Sequence, residues 1–292
     1  MIGLLGHFSI CVKKNSFDIW VVMKELTLNE LQQFEMEILE DVHDFCLNNN
    51  IRYSLYGGTA IGAVRHSGFI PWDDDIDIVM PRGDYERFCK MYSSKRFQLS
   101  ERRGDRNTWL GFARVFDNKR TTYKSNCPWH RKAYGVWIDI FPADGYDSKD
   151  MNLYNDCVIL RRKTVKARHL YRGFDLSDGF VFNMRLLVKK VLYNKIAVGK
   201  MIDRLIDKSM TYKFGEKDSW AVLCCPYDKR TIHPIDSFNE VELVKFENDT
   251  FFLLKGYDTM LKNVYGDYMQ LPPVEKRVPP MKMSDRFYWK DK

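Results

Sequence analysis

The sequence lacks the features that mark secreted, membrane-spanning and zinc-binding proteins. Its seven cysteines are an odd number without C-x-x-C spacing, so neither a disulfide framework nor a cysteine zinc site is predicted. Its six histidines show no H-x-x-x-H spacing, which argues against a histidine-ligated zinc ion. No apolar run approaches the roughly 20 residues that a membrane-spanning helix needs. We therefore expect a cytoplasmic protein.

Two common enzyme motifs are also absent. The chain has no G-x-x-x-x-G-K-[ST] segment, which excludes a P-loop site, and no G-x-S-x-G segment of a serine hydrolase. It also has no internal repeats, low-complexity tracts or glycine- and serine-rich linkers. We expect residues 1–22 to be an N-terminal extension and residues 23–148 to form the core. Residues 149–292 are expected to form a basic helical lobe that packs with this core as one unit.

Positive charge dominates the second half of the chain, and the whole chain carries a net charge of +7. Residues 151–214 include fourteen Lys and Arg, five Asp and no Glu, with apolar residues near helical spacing. This pattern predicts two or three basic amphipathic helices. A solvated helix face explains such charge, and docking onto an anionic membrane or a lipid-linked acceptor is the functional alternative.

The richest group of chemically active side chains follows a Pro-Trp corner. Four of the five residues from 73 to 77 are aspartates, and their alternation with isoleucine predicts a strand with Asp75 and Asp77 on one face. Crowded carboxylates repel one another unless a cation neutralises them. We expect this pair to bind Mg²⁺, with Mn²⁺ as the alternative ion. A solvated acidic turn is the simpler interpretation.

A glycine turn precedes these acids. Gly57 and Gly58 follow a predicted strand at residues 51–56 and open a short helix, which leaves backbone N–H groups free to hold a phosphate. A tight turn that only needs positive φ is the alternative interpretation. Thr59, Arg65 and His66 lie in the same segment, and the two basic side chains stand close to the acids in sequence.

A third acid lies in the predicted strand GVWIDIF at residues 135–141. The alternation places Asp139 on one face and three β-branched residues on the other. An unpaired charge among bulky apolar side chains would be costly, so a salt bridge to an arginine or a metal ion is expected. When Asp75 and Asp77 are considered together with Asp139, the metal ion is preferred over the salt bridge, because two-metal phosphoryl sites commonly use a third carboxylate. With Arg114 nearby, these features indicate phosphoryl or nucleotidyl transfer.

The stretch YGGTAIGAVRHSGFIPWDDDIDIVMPRGDYERF resembles the signature of the LicD family, bacterial phosphorylcholine transferases related to fukutin-like proteins. The resemblance continues through RVFDNKRT, IDIFPADG and YGDYMQLPPVEKR, in that order, and covers about Glu25 to Arg277. It implies an α/β (α+β) fold: a nucleotidyltransferase-like mixed sheet with flanking helices and a helical C-terminal lobe.

The resemblance also implies roles for individual residues. Asp75, Asp77 and Asp139 match the catalytic carboxylates that bind the metal. The substrate-binding candidates are Gly57, Gly58, Thr59, Arg65, His66, Trp72 and Arg114. If phosphocholine is the transferred group, its quaternary ammonium needs an aromatic cage, for which Trp72, Trp129 and Trp137 are nearest to the acids in sequence.

The implied reaction moves phosphocholine, or a related polyol phosphate, from a CDP-linked donor to a sugar hydroxyl and releases CMP. CDP-choline is the expected donor, and a cell-surface glycan precursor or lipid-linked oligosaccharide is the expected acceptor. We expect no nucleic-acid partner, and a location in the cytoplasm or at the inner face of the plasma membrane.

Three other functions remain as alternatives. A nucleotidyltransferase would use the same residues to transfer the nucleoside monophosphate itself. A metal-dependent glycosyltransferase would use a D-x-D pair, but the glycine turn and Asp139 argue against it. A non-catalytic binding module would use the basic half to bind nucleic acid or anionic lipid, with strong salt dependence.

Overall fold

The computed structural model describes residues 23–106, 108–125, 134–167, 179–192, 195–226, 228–279 and 285–290. The helices in these ranges are α1 (Leu28–Asn48), α2 (Gly57–His66), α3 (Arg82–Met91), α4 (Met151–Ala167), α5 (Phe180–Leu192), α6 (Lys195–Ser209) and α7 (Tyr257–Tyr265). The strands are β1 (Ser54–Leu55), β2 (Asp77–Pro81), β3 (Gln98–Ser100), β4 (Ala113–Asp117), β5 (Thr121–Ser125), β6 (Val136–Tyr146), β7 (Ser219–Ala221), β8 (Ile232–Pro234), β9 (Val241–Phe246), β10 (Asp249–Leu254) and β11 (Asp285–Trp289). The predicted mixed α/β fold is confirmed.

A mixed sheet forms the centre of the molecule. Its strands follow the order β1-β2-β6-β4-β3, and β7 and β8 extend it from the end of β6. The pair β2 and β6 is parallel, whereas β1 joins β2 and β4 joins β6 in antiparallel fashion. The long strand β6 therefore lies between β2 and β4, and it places Asp139 between the residues that these two strands contribute.

Helix α1 covers one side of this sheet, and the capping-box spacing of Thr27-Leu28-Asn29-Glu30 predicts that the helix begins here, as it does. The Thr27 side chain accepts a hydrogen bond from the Glu30 N–H, and the Glu30 carboxylate accepts one from the Thr27 N–H at 2.9 Å. This capping box satisfies two backbone donors that the helix itself leaves unpaired. Leucine, phenylalanine, isoleucine and valine side chains on one face are buried, and α1 packs against β6 and β4.

Strand β6 shows the predicted alternation. Val136, Ile138 and Ile140 are fully buried, while Trp137 and Asp139 on the other face are only partly buried. The apolar face of β6 thus belongs to a core that extends from Leu31 of α1 to residues of β11. Asp139 therefore lies on the opposite face of β6, where the candidate site forms.

The basic segment after β6 forms helices, as predicted. Helices α4 and α6 pack against each other, and Asp144 of β6 accepts hydrogen bonds from Arg82 Nε at 2.6 Å and Nη2 at 2.9 Å. The hairpin of β9 and β10 returns to the sheet, where the Leu254 N–H donates to Ser54 Oγ at 2.9 Å. Within the described ranges, no helix has the length and apolar character needed to cross a membrane.

Two local predictions are wrong. After the turn Asp117-Asn118-Lys119, the sequence predicts that Thr121 to Tyr123 returns beside the preceding strand as a hairpin, but β5 pairs with β11, which lies about 160 residues further along the chain. The sequence also predicts Asp84 and Asp258 as the N-caps of α3 and α7, but both acids lie within the first turn. Arg52 binds the first of these acids and Tyr268 the second, so tertiary contacts use them instead.

Candidate active site

Three charged residues meet where β2, β6 and β4 lie side by side. Asp77 is in register with Asp139 across the parallel pair, and Arg114 is in register with Asp139 across the antiparallel pair. Residues in register on neighbouring strands share a face of the sheet. The sheet thus brings together two of the predicted carboxylates and the predicted arginine, although they are far apart in sequence.

Asp139 forms the salt bridge that the sequence left as one of two alternatives. Arg114 Nε donates to Asp139 Oδ1 at 2.5 Å, and Nη2 donates to Oδ2 at 3.1 Å. The guanidinium also stacks over the Trp137 ring at 4.2 Å. The Trp137 ring thus contacts a positive charge of the protein itself, the Arg114 guanidinium. The sequence suggested this ring for the aromatic cage around choline.

The acidic loop before β2 forms a dense carboxylate cluster. Oxygen atoms of Asp73, Asp74 and Asp75 lie within 4.8 Å of one another, so these three side chains could hold a metal ion. Asp73 and Asp74 are buried, whereas Asp75 is exposed and forms the open edge of the cluster. Among the described residues, the compact group is thus the DDD run itself, with Asp77 and Asp139 on the adjoining strands.

Burial and mutual repulsion make these carboxylates hard to ionise. Burial, followed by the charge of Asp74, raises the pKa of Asp73 to about 6. Although Asp75 reaches solvent at one edge, desolvation by the surrounding protein atoms, followed by the charges of Asp73 and Asp139, raises its pKa to about 7. Burial and the charge of Asp75 raise the pKa of Asp77 well above its usual value, and Arg114 acts in the opposite direction on both. A bound cation would relieve this repulsion, so the residues fit a divalent metal.

The glycine turn lies directly against the acids. Gly57 has a φ of +56°, which favours glycine, and a Cβ there would lie 3.4 Å from Asp77 Oδ2. A Cβ on Gly58 would lie 2.8 Å from Asp73 Oδ2, so a side chain there would push this carboxylate aside. The backbone conformation at Gly57 and the close approach at Gly58 thus favour glycine where the N-terminus of α2 meets the carboxylates.

Thr59 anchors the acidic strand to the same helix. Its Oγ1 accepts a hydrogen bond from the Asp77 N–H at 2.9 Å, and its side chain is buried. The sequence predicts that Thr59 contacts the substrate. In the structure, its side chain positions Asp77 through this hydrogen bond.

Arg65, His66 and Trp72 connect α2 with the C-terminal motif. Arg65 Nη1 donates to the Tyr268 carbonyl at 2.5 Å, and Arg65 Nε donates to His66 Nε2 at 2.9 Å. Burial, together with the charge of Arg65, lowers the pKa of His66. The Trp72 ring lies near His66 and near the guanidinium of Arg277, at 5.8 Å from the ring centre. Trp129 lies outside the described residues.

Glu35 is a residue that sequence reasoning missed. It is 1% exposed, and its Oε2 has no hydrogen-bond partner within the described part of the chain. Burial raises its pKa well above the usual value, and the charges of Asp75, Asp74 and Asp73 act in the same direction. The sequence does contain a signal for Glu35, because this acid lies among the apolar residues on the buried face of α1, where charged side chains are rare.

A cavity of about 290 Å³ opens beside Asp77 and Gly57. Its aromatic lining comes from Tyr56, Phe141 and Tyr265, and the Tyr265 hydroxyl would lie 3.6 Å from a Cβ on Gly57. The remaining lining residues are Val222, Cys225, Thr231, Met260, Leu261 and Val264. Sequence reasoning did not find this cavity, because its walls come from segments about 200 residues apart.

Comparison with known proteins identifies the family. A family profile described as the LicD/FKTN/FKRP nucleotidyltransferase domain matches residues 50–177. The lipopolysaccharide cholinephosphotransferase LicD of Haemophilus influenzae is 31% identical over 266 residues, which cover 88% of this chain and 97% of that protein. An uncharacterized protein of Rickettsia typhi is 44% identical over 52 residues, 18% of this chain and 17% of its own length. The chain belongs to the LicD family.

Proposed function

We propose that this protein transfers phosphocholine from CDP-choline to a sugar hydroxyl of a cell-surface glycan precursor or lipid-linked oligosaccharide, with release of CMP. The family relationship supports a transferase role for the chain. The observation that carries the proposal is the group of carboxylates around Asp77, an acid that also lines a cavity with aromatic walls. A donor with a diphosphate and a quaternary ammonium needs both features.

Asp75, Asp77 and Asp139 would hold a divalent metal, for which we propose Mg²⁺, and the buried Asp73 and Asp74 add negative charge beside them. Burial and mutual repulsion raise the pKa of Asp73, Asp75 and Asp77, which supports this proposal because a cation would stabilise their ionised forms. When bound, the ion supplies charge neutralisation of the donor diphosphate.

The chain's own residues bind and orient the donor. Backbone N–H groups at the start of α2, at Gly57 and Gly58, offer hydrogen bonds to phosphate oxygens, and the helix N-terminus favours negative charge. Tyr56, Phe141 and Tyr265 provide ring faces for the quaternary ammonium. This assignment replaces the tryptophans that the sequence favoured with the aromatic residues that line the cavity.

The transfer step forms a bond between the sugar oxygen and phosphorus and breaks the phosphoanhydride bond to CMP. The proton of the attacking hydroxyl passes to a carboxylate of the cluster. Asp75 fits this role because it is exposed at the edge of the cluster. Asp139 fits it less well, since each of its oxygens already accepts a hydrogen bond from Arg114 and the remaining lone pairs would bind the metal.

The test is CMP release from CDP-choline, CDP-ribitol and CDP-glycerol with a glycan acceptor, with and without Mg²⁺. We expect turnover of CDP-choline that requires the metal and falls at least about a hundredfold in Asp75→Asn and Asp77→Asn. Asp207→Asn, an exposed acid on α6, is the matched control and should behave like wild type. Formation of CMP-sugar with free phosphocholine would instead establish a nucleotidyltransferase. Silence with all three donors would overturn the proposal.

Substitution in the cavity tests the head group separately. Tyr265→Leu should weaken the use of CDP-choline by about tenfold, because one cation–π contact is lost, with little effect on CDP-glycerol. An equal loss with both donors would contradict the placement of choline in this cavity.

A further inference from the structure

Helix α5 exposes an apolar face to solvent. Among the described side chains of α5, seven apolar ones are exposed, including Val181 and Phe182. The largest group is Phe180, Met184, Leu187, Val188 and Val191, in which Phe180 and Val191 reach 80% and 77%. Their spacing of four, seven, eight and eleven residues from the first puts them on one side of the helix. We refer to these five residues as the α5 apolar face. A row of large apolar side chains exposed to water indicates an interaction surface for another protein or a membrane.

The rest of α5 attaches the helix to the molecule by a narrow contact. Leu186 is 2% exposed and is the buried residue among the side chains described in α5. It lies on the side of the helix away from the α5 apolar face. The apolar face is thus not the face by which α5 packs onto its own protein.

The charges of α5 are all positive. The helix sequence FVFNMRLLVKKVL contains Arg185, Lys189 and Lys190 and no Asp or Glu. At helical spacing, Arg185 and Lys190 fall on opposite sides of the α5 apolar face. An apolar face with a basic residue on each side is the pattern of a helix that lies in the interface of an anionic bilayer.

We propose that α5 docks this protein onto the surface of a membrane that contains anionic lipid. The α5 apolar face enters the boundary between head groups and acyl chains, and the net positive charge of the helix attracts the anionic lipid. The positive charge of α5 favours an anionic bilayer over a second copy of the chain, because two copies of this helix would repel each other. The inference does not depend on the donor or on the bond that the enzyme breaks.

The experiment is co-sedimentation of the full chain with phosphatidylcholine vesicles and with vesicles of phosphatidylcholine and phosphatidylglycerol. We expect binding to the anionic vesicles that weakens at high salt. The double variant Leu187→Gln/Val191→Gln should bind about tenfold more weakly, because less apolar surface is buried. Leu243→Gln, also an exposed leucine but on β9, is the matched control and should bind like wild type.

The basic residues are tested in the same assay. Arg185→Gln/Lys190→Gln should reduce binding to the anionic vesicles and flatten its salt dependence. CMP release with a soluble acceptor should be unchanged in both double variants, which shows that they fold and separates this inference from the proposed reaction.

Two outcomes would overturn the proposal. In the first, wild type does not sediment with anionic vesicles, or Leu187→Gln/Val191→Gln binds as well as wild type and Leu243→Gln. In the second, light scattering shows a dimer of wild type that Leu187→Gln/Val191→Gln abolishes, in which case a second copy covers the α5 apolar face.

Discussion

Removal of Arg114 should harm the fold more than removal of Asp139, its partner. Arg114 binds both oxygens of Asp139 and stacks on Trp137. It is also the positive charge that lowers the pKa of Asp75 and Asp77 against the effects of burial and repulsion. Arg114→Met leaves three acids, Asp75, Asp77 and Asp139, without this charge. Asp139→Asn removes one of the repelling acids.

The expected magnitudes follow from these contacts. Arg114→Met breaks a buried ion pair and should lower the free energy of unfolding by about 3–5 kcal/mol at pH 8. Asp139→Asn loses charged hydrogen bonds worth about 1.5–3 kcal/mol, and relief of repulsion offsets part of that loss. The double variant should be more stable than Arg114→Met alone, because the uncompensated carboxylate is gone.

The pH dependence has a definite sign. Without Arg114, the pKa values of Asp75 and Asp77 rise further above those of the unfolded chain. A carboxyl group with a raised pKa contributes stability at low pH that is lost as the pH rises through the folded value. Arg114→Met should therefore lose more stability at pH 8 than at pH 5.5. Added Mg²⁺ should restore part of the loss at pH 8, since it replaces the missing positive charge.

The assay is urea unfolding of wild type, both single variants and the double variant at the two pH values. Arg230→Met is the matched control: its pair with Asp228 is exposed, so its effect should stay within about 0.5 kcal/mol. If Arg114→Met is no more destabilising than Asp139→Asn, Arg114 is not the counter-charge of the cluster, and the reasoning is refuted.

Two further variants test buried groups. Glu35→Met should raise stability at pH 8 by about 1–3 kcal/mol, because it removes a buried carboxyl group whose Oε2 has no hydrogen-bond partner among the described residues. The gain in urea unfolding should shrink toward pH 5, and a gain independent of pH would contradict this. Burial lowers the pKa of His233 to about 4, so wild type should lose up to about 3 kcal/mol between pH 6.5 and 4 relative to His233→Leu. Parallel pH profiles of the two proteins would refute the second prediction.

Elements with a strong local pattern were predictable. The capping box of α1, the alternation in β6 and the helical spacing of the basic segment all appear where expected. Each depends on neighbours within a few residues, which the sequence displays directly. The predicted pairing of β4 with β5 is wrong for the opposite reason. The two strands are close in sequence, but β5 pairs with the distant strand β11.

The site was predictable in its residue types and less so in its contacts. Asp77, Asp139 and Arg114 come from three segments, and only the order of the strands makes them neighbours. Thr59, Arg65 and Trp72 were expected at the substrate, and the contacts described here join them to Asp77 and to the C-terminal motif. Glu35 and the aromatic cavity became visible only with the fold.

The sequence by itself indicated a transferase, because the motifs around its glycine turn and aspartates resemble those of the LicD family, to which the chain belongs. It also determined the fold class, through motifs that follow one another along most of the chain. Only the tertiary structure decided which group neutralises Asp139, what lines the cavity and that α5 is left uncovered. These are properties of surfaces and charges brought together from distant segments, and no local pattern records them.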